Sequence, residues 1–239
     1  MIVCKFGGSS VAEAKQIQKV KSIIDADPDR QIVIVSAPGK RNKDDEKVTD
    51  MLYNCNSMVQ QGQSCRELFK KVANRYTNIL SELGMDQKPF LPILDEVRQM
   101  IDAGHGAEYA ASRGEYLCAR MVAAYFGWTF LDTDPLIVIK DDGTVHEDTY
   151  TNLKKVLKKG EKYIVPGFYG CSTEGKVKTF SRGGSDITGA ILSRAADADI
   201  YENWTDVSGV FSVDPRLVKD AKVIKTMTYR EVRELAGVG

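Results

Sequence analysis

The 239-residue sequence lacks the features that mark membrane, secreted or nucleic-acid-binding proteins. No apolar run approaches the roughly 20 residues that a membrane-spanning helix needs. The N-terminus has none of the basic lead, apolar stretch and small-residue cleavage site of a secretory signal. Lys and Arg together number 33, as do Asp and Glu, so the formal net charge is zero. We therefore predict neither a membrane nor a nucleic-acid partner.

The cysteines also lack any pattern that would indicate a disulfide framework or a metal site. The five of them, Cys4, Cys55, Cys65, Cys118 and Cys171, stand singly along the chain. No CxxC pair occurs, and neither histidine stands at metal-ligand spacing from a cysteine. We therefore predict reduced thiols, no metal held by the protein's own side chains, and a cytoplasmic location.

The composition is that of a folded domain, with 43% apolar and 28% charged residues, which excludes a disordered chain. Short β-branched runs alternate with stretches whose apolar residues recur at helical spacing. This alternation predicts an α/β fold, with one mostly parallel sheet covered by helices on both faces. Strands are predicted at 2–6, 31–37, 128–132, 136–140, 163–167, 177–180 and 200–204. Helices are predicted at 14–24, 48–59, 68–83, 91–101, 105–127, 153–157, from 185 onward, and from the capping box at 228–231.

Three loops of this predicted fold carry residues that suit a phosphate group. Lys5 and a Gly7–Ser9 turn end the first strand, and the small residues 36–39 end the second. Residues 182–186 lead into a helix, with Ser185 as the predicted N-cap. Glycines let an anion approach the backbone, and a helix start presents unpaired N–H groups. Because the ends of parallel strands meet at one edge of a sheet, we predict that these loops form one anion site.

Two of these loops also have a plainer interpretation. Gly183 and Gly184 are compatible with an ordinary turn, in which Arg182 pairs with Asp186 four residues later. The order that favours such a pair in a helix places the acid before the base, and here the order is reversed. Lys5 beside a glycine turn is likewise compatible with a structural role, but its association with two similar loops favours a functional one.

Two other glycine motifs are rejected. Residues 170–176 match most of a P-loop, but Val177 stands where Ser or Thr is required and a strand is predicted to follow. Gly104 and Gly106 lack the third glycine of a dinucleotide fingerprint and do not follow a strand.

Five motifs, in order, resemble those of the aspartokinases of the amino-acid kinase superfamily. They are KFGGSSV (5–11), KVTDML (47–52), SRGE (112–115), FSRGGSD (180–186) and WTDVSGVFSVDPR (204–216). The resemblance spans residues 2–239 and implies a three-layer αβα sandwich around a mainly parallel, about eight-stranded sheet. It implies one catalytic domain over 1–239, without a linker between its lobes. The regulatory ACT domains of the family are absent from this chain, so we expect it to be part of a longer protein.

The resemblance also implies an activity. The γ-phosphoryl group of ATP would pass to the side-chain carboxylate of L-aspartate, giving 4-phospho-L-aspartate, the first step toward lysine, threonine and methionine. Mg²⁺ would be held mainly by the nucleotide phosphates, and the full-length enzyme would be a homodimer. The alternatives are a sister kinase that acts on glutamate or N-acetylglutamate, and a catalytically weak amino-acid-binding fragment.

Roles for individual residues follow from the same resemblance. Lys5 matches the lysine that stabilises the phosphate, and Asp186 matches the acid that organises the site; these two are the predicted catalytic residues. Phe211 stands where relatives often carry Tyr, so a hydroxyl contact to the nucleotide would be missing. The substrate side comprises Ser36, Thr49, Glu115, Arg182 and Ser185, and the nucleotide side comprises Lys5, Gly7, Gly8, Ser9, Gly184, Thr205, Asp206, Phe211 and Arg216.

Elementary chemistry agrees with these roles. A carboxylate nucleophile has a reference pKa of about 3.9 and is ionised at neutral pH, so no general base is needed. Asp186 is therefore predicted to hold Lys5 in place rather than to accept a proton. The planar fork of Arg182 suits the substrate α-carboxylate, and Glu115 suits its ammonium group. The plainer interpretation of Glu115 is a solvated charge on a helix surface.

Overall fold

The computed structural model describes residues 1–181, 183–205, 209, 218, 220–228 and 231. The chain divides into two compact units, Met1–Trp204 and Thr205–Gly239. The strands and helices given below all belong to the first unit. The single catalytic domain over residues 1–239 stays a prediction.

Strands form where short β-branched runs occur, and helices form where apolar residues recur at helical spacing. The strands are β1 (Ile2–Phe6), β2 (Arg30–Val35), β3 (Thr129–Phe130), β4 (Val138–Ile139), β5 (Tyr163–Pro166), β6 (Tyr169–Ser172), β7 (Val177–Thr179) and β8 (Ile200–Trp204). The helices are α1 (Ala14–Asp25), α2 (Val48–Gln60), α3 (Arg66–Glu82), α4 (Leu91–Asp102), α5 (Ala107–Phe126), α6 (Asp148–Val156) and α7 (Gly184–Ala195). A 3-10 helix, Gly8–Val11, separates β1 from α1. Within the described part of the chain, no helix is long and apolar enough to cross a membrane.

Five strands form the central sheet in the order β3-β5-β2-β1-β8, and every neighbouring pair is parallel. Val33, Ile34 and Val35 of β2 are each 0% exposed. This burial on both faces explains why β2 is apolar without alternation. Because the strands are parallel, their carboxyl ends lie at one edge of the sheet, where the predicted site is expected.

Side chains of the two central strands alternate between two hydrophobic cores. Phe6, Val33 and Val35 belong to the larger core, which α1 to α5 complete on one face. Val3 and Ile34 belong to the smaller core, which α6 and α7 complete on the other face. The predicted α/β class, with a mainly parallel sheet between two helical layers, is confirmed.

The remaining three strands form a separate small sheet in the order β4-β6-β7. The eight strands of the described residues are thus divided between two sheets, where we expected about eight in one. β6 and β7 are an antiparallel hairpin, and Gly175 has φ +76° in the turn between them. β6 itself was not predicted, because its sequence, YGCS, has little β-branched or aromatic character and is a strand through its pairing.

Helix α6 begins five residues earlier than the predicted segment 153–157, at Asp148. Its first turn is polar, so apolar spacing does not reveal it. The Thr149 hydroxyl accepts the backbone N–H of Val138 at 2.9 Å, which anchors that turn to β4. Asp148 in the first turn and two lysines in the last turn also suit the helix dipole.

The second unit contains the predicted capping box. The backbone N–H of Thr228 donates to the carboxylate of Glu231 at 2.7 Å, and the N–H of Glu231 donates to the Thr228 hydroxyl at 3.3 Å. These reciprocal bonds are those of a helix start. The helix predicted to follow lies outside the described residues.

Candidate active site

Lys5 lies near the end of β1, on the sheet face that α7 covers. Its Nζ is 2.8 Å from Oδ1 of Asp186 in the first turn of α7, which confirms the predicted contact. The Lys5 side chain is 13% exposed and the Asp186 side chain 49%. The same Nζ is 3.9 Å from the point where a Cβ on Gly7 would stand. A largely buried positive charge therefore lies beside the glycine turn, where an anion could approach both.

The segment that carries Asp186 reaches this edge by a route that differs from the predicted one. It follows β7, which belongs to the small sheet rather than to the parallel sheet. Its convergence with the other loops comes from α7, which packs across β1, β2 and β8 and places its first turn beside Lys5. The alternative partner of Asp186, Arg182, lies outside the described residues.

The loops after β1 and β2 approach each other at backbone distance. The N–H of Gly39 donates to the carbonyl of Gly8 at 2.9 Å. A Cβ on Gly8 would lie 2.8 Å from the carbonyl oxygen of Ala37, and a Cβ on Gly39 would lie 2.8 Å from the carbonyl carbon of Gly8. Only glycine allows this approach without a backbone shift, so the two loops act as one structural unit.

A buried arginine supports that unit from α3. The Arg75 side chain is 4% exposed, and its Nη2 donates to the carbonyl of Gly39 at 3.0 Å and to Asp45 at 2.7 Å. Arg41 forms two further bonds to the Asp45 carboxylate, each 2.9 Å. Hydrogen bonds from Arg41, with a smaller contribution from Arg75, hold the pKa of Asp45 well below its usual range. The loop after β2 is thereby tied to a charged network.

Ser36 and Ser185 join the end of β2 to α7. The Ser36 hydroxyl donates to the Ser185 hydroxyl oxygen at 3.0 Å. The prediction of Ser185 as N-cap is wrong, because α7 begins at Gly184 and its N-cap is Gly183, with φ +59°. A Cβ on Gly167, after β5, would lie 2.5 Å from the Ser185 hydroxyl. Ser185 is therefore held between two strand ends.

Glu115 is buried in α5, with only 6% of its surface exposed. The plainer interpretation as a solvated helix charge is therefore wrong. Burial raises the pKa of Glu115 from 4.5 to about 7, and backbone hydrogen bonding to Ala37 opposes this shift only in part. Its Oε2 is shielded from water and has no hydrogen-bond partner among the described residues. A Cβ on Gly114 would lie 2.8 Å from Cβ of Ala37, so α5 packs closely against the loop after β2.

The other predicted site residues fall into two groups. Thr49 is half-buried in the first turn of α2, Ser9 is exposed in the 3-10 helix, and Gly184 is buried at the start of α7. Thr205 begins the second unit. Arg182, Asp206, Phe211 and Arg216 lie outside the described residues, so most of the nucleotide side stays a prediction.

Sequence reasoning missed Asn203. Its Nδ2 donates to Oδ1 of Asp186 at 3.1 Å, and in the parallel pairing of β1 with β8 it stands opposite Lys5. No local pattern reveals this residue, because the register of two strands at opposite ends of the chain is needed to find it.

The described residues contain no group of three or more His, Cys, Asp or Glu side chains that could hold a metal ion. The site as described therefore offers a lysine, backbone amides and one unpaired carboxylate oxygen rather than a metal cage.

Comparison with known proteins places this arrangement in a family. The profile of the amino acid kinase family matches residues 1–239. The chain belongs to the amino acid kinase family. Within it, the chain is similar to Aspartokinase 3 of Bacillus subtilis, with 40% identity over 253 residues that cover 100% of this chain and 56% of the relative. It is 32% identical to the Zea mays bifunctional aspartokinase/homoserine dehydrogenase 2, covering 99% of this chain and 28% of that relative.

Solved structures of the family agree with the fold. The aspartate kinase of Clostridium acetobutylicum matches with a TM-score of 0.92 at 46% identity, over 100% of this chain and 55% of that one. Aspartokinase III of E. coli, in complex with aspartate and ADP, shares the fold with a TM-score of 0.85 at 24% identity, covering 100% of this chain and 56% of that one. The chain thus spans about half the length of these solved relatives and of the Bacillus relative.

Proposed function

We propose that the chain carries the catalytic machinery of an aspartate kinase. It transfers the γ-phosphoryl group of ATP to the side-chain carboxylate of L-aspartate, the first step toward lysine, threonine and methionine. The observation that carries the proposal is the loop after β2. Ala37 interacts through its backbone with Glu115, and its carbonyl packs against Gly8 in the glycine turn beside Lys5. A carboxylate suited to an ammonium group and a lysine suited to a phosphate are thus joined through one loop.

The similar proteins support this choice. The Bacillus relative is named an aspartokinase, and the Clostridium structure is that of an aspartate kinase. Both similarities extend over the whole of this chain, and both exceed the 14% identity of its match to the structure of an isopentenyl phosphate kinase.

Phosphoryl transfer requires positioned positive charge more than covalent assistance. Lys5 would neutralise charge on the moving phosphoryl group, and backbone N–H groups of the glycine turn would bind the phosphate oxygens. Gly7 leaves room there, because among the described residues, its chain neighbours apart, only the Lys5 Nζ lies within 4 Å of the point where a Cβ would stand. Mg²⁺ held by the nucleotide phosphates would supply further positive charge when bound. No protein carboxylate cluster is assigned to it.

Asp186 has a supporting role in this proposal. Its carboxylate is paired with the Lys5 ammonium, so it holds that charge at the end of β1. The aspartate nucleophile is already ionised at neutral pH, and no residue has to remove a proton from it.

Recognition of the amino acid is assigned to Glu115 and Arg182. The shielded Oε2 of Glu115 has no donor among the residues that the structure describes, and an ammonium group would satisfy it. Arg182 would bind the α-carboxylate, with Ser36, Thr49 and Ser185 completing the substrate side. Asp206, Phe211, Arg216 and Thr205 would contact the nucleotide. These assignments rest on the motifs of the sequence.

Three broader statements belong to the same proposal. The full-length enzyme is a homodimer, residues 1–239 form its catalytic domain, and it acts in the cytoplasm. The last statement is supported by the cysteines, all five of which are free and buried.

A hydroxamate assay tests the proposal. The chain is incubated with Mg²⁺, ATP and hydroxylamine, together with aspartate, glutamate or N-acetylglutamate in separate reactions. Because hydroxylamine traps an acyl phosphate, we expect hydroxamate with aspartate alone. Hydroxamate with only one of the other two acids would indicate the sister kinase, and none with any acid would indicate an amino-acid-binding fragment.

A further inference from the structure

Strand β8 places a polar side chain beside the Lys5 and Asp186 pair. In the parallel pairing of β1 with β8, Asn203 stands opposite Lys5 and Tyr201 stands opposite Val3. Register neighbours in a parallel sheet project to the same face. Asn203 and Lys5 therefore both face α7, whose first turn carries Asp186.

Asn203 and Lys5 donate to the same oxygen. Nδ2 of Asn203 is 3.1 Å from Oδ1 of Asp186, and Nζ of Lys5 is 2.8 Å from that oxygen. The other carboxylate oxygen, Oδ2, lies toward Gly183, 3.9 Å from the point where its Cβ would stand. Two donors that converge on one oxygen fix the plane of the carboxylate, so that Oδ1 faces the sheet and Oδ2 faces Gly183.

This restraint matters because Asp186 is otherwise weakly held. Its side chain is 49% exposed, and the terminal torsion of an aspartate is broad. A carboxylate that turned toward water would release the Lys5 ammonium from its position beside Gly7. Among the described residues, the side chains that donate to this carboxylate are Lys5 and Asn203.

We propose that Asn203 is a positioning residue for phosphoryl transfer, and that it acts through Asp186 on Lys5. The proposal rests on the proposed aspartate kinase function. Asn203 does not contact a reacting atom in this account. It keeps the Asp186 carboxylate in the one orientation that holds the lysine charge where the phosphoryl group passes.

The experiment is a double-mutant cycle on the whole chain. Asn203→Leu removes the donor at an exposed position and keeps a side chain of similar size. Asp186→Asn removes the carboxylate charge that Asn203 is proposed to orient. Initial rates of aspartyl hydroxamate formation give kcat and the KM values for aspartate and ATP in the wild type, each single variant and the double variant. Ile200→Thr is the control, because Ile200 is 51% exposed on the opposite face of the same strand.

We expect Asn203→Leu to lower kcat about tenfold, as loss of one hydrogen bond to a charged group predicts, with both KM values within about twofold of the wild type. In the Asp186→Asn background the same change should lower kcat less than twofold, because the group that it orients has already lost its charge. Ile200→Thr should match the wild type.

Other outcomes overturn the proposal. An equal loss of kcat in both backgrounds would mean that Asn203 acts independently of Asp186, and an equal loss in Ile200→Thr would mean a general disturbance of β8. Unchanged kcat in Asn203→Leu, with an active wild type, refutes the positioning role and leaves the proposed function standing. A wild type that forms no aspartyl hydroxamate refutes the proposed function and this inference with it.

Discussion

The ammonium group of Lys5 and the carboxylate of Asp186 lie 2.8 Å apart at the carboxyl edge of the central sheet. Lys5 comes from the first strand, and Asp186 from the first turn of the last described helix of the first unit. The pair joins the glycine turn after β1 to the segment that carries the predicted substrate residues. The phosphate half and the amino-acid half of the proposed site therefore meet at this ion pair.

Asp186→Asn tests whether that carboxylate is a support or a base. We expect kcat to fall about 10- to 100-fold, because the lysine charge loses its partner, with no new alkaline limb in the pH profile of kcat. The measurement is kcat from pH 6 to 9. Asp25→Asn is the matched control, since Asp25 forms a 2.8 Å pair with Lys21 on the surface of α1. Loss of a base-like titration in the variant would contradict the supporting role.

Glu115→Gln tests the burial of that carboxylate. The pKa of Glu115 is raised from 4.5 to about 7 in the folded chain. At pH values between these two, Glu115 therefore takes up a proton when the chain folds. The stability linked to this group is fully present below about pH 4.5 and is lost as the pH rises through 7. Glu115→Gln has no carboxyl group at this position, so it does not lose this stability as the pH rises. Its free energy of unfolding, relative to the wild type, should therefore rise by about 2 kcal/mol from pH 5 to pH 8.

Urea unfolding at several pH values measures this difference. Glu96→Gln, which changes an exposed carboxylate of α4, is the control. Parallel pH profiles for Glu115→Gln and the wild type would show that Glu115 is not titrating in a buried environment.

Aspartate binding should release protons near pH 7. Glu115 is partly protonated there, and an ammonium group favours its ionised form, so binding displaces the proton. Calorimetric titrations in two buffers of different ionisation enthalpy measure the number of protons released. We expect proton release on aspartate binding in the wild type but not in Glu115→Gln. We also expect N-acetylaspartate, whose amino group cannot be an ammonium, to bind weakly. Equal proton release by both proteins would place the titrating group elsewhere.

Gly8→Ala and Gly7→Ala should differ in their effect on stability. A Cβ on Gly8 would lie 2.8 Å from the carbonyl oxygen of Ala37, whereas the nearest contact of a Cβ on Gly7 within the described part of the chain would be the Lys5 Nζ at 3.9 Å. We expect Gly8→Ala to lower the free energy of unfolding by about 1–3 kcal/mol, and Gly7→Ala to lower it by less. Urea midpoints of the two variants decide this. An unchanged midpoint in Gly8→Ala would mean that the two loops do not pack as described.

The sequence predicts the parts of this structure that depend on local pattern. β1, the glycine turn and β2 are found within one or two residues of prediction, because they are apolar runs that end in small residues. The contact between Asp186 and Lys5 is also confirmed. It was predicted from the motifs that carry both residues and from the unfavourable order of Arg182 and Asp186.

The parts that depend on pairing could not be predicted in this way. Asn203 becomes a neighbour of Lys5 only once β8 is known to pair with β1. The residue type of Ser185 suits an N-cap, but the left-handed Gly183 occupies that position, and Ser185 accepts a hydrogen bond from Ser36 instead. The burial of Glu115 depends on close packing of α5 against Ala37, which a helical pattern does not reveal. The roles of Arg182, Asp206, Phe211 and Arg216 stay predictions.

The rate of aspartyl hydroxamate formation by Lys5→Met tests the central claim most directly. Lys21→Met is the matched control, because Lys21 also forms a 2.8 Å pair with an aspartate but lies on α1. The account predicts that the wild type and Lys21→Met form hydroxamate at similar rates, whereas kcat of Lys5→Met falls at least about 100-fold. Hydroxamate formation by Lys5→Met at the wild-type rate would contradict it.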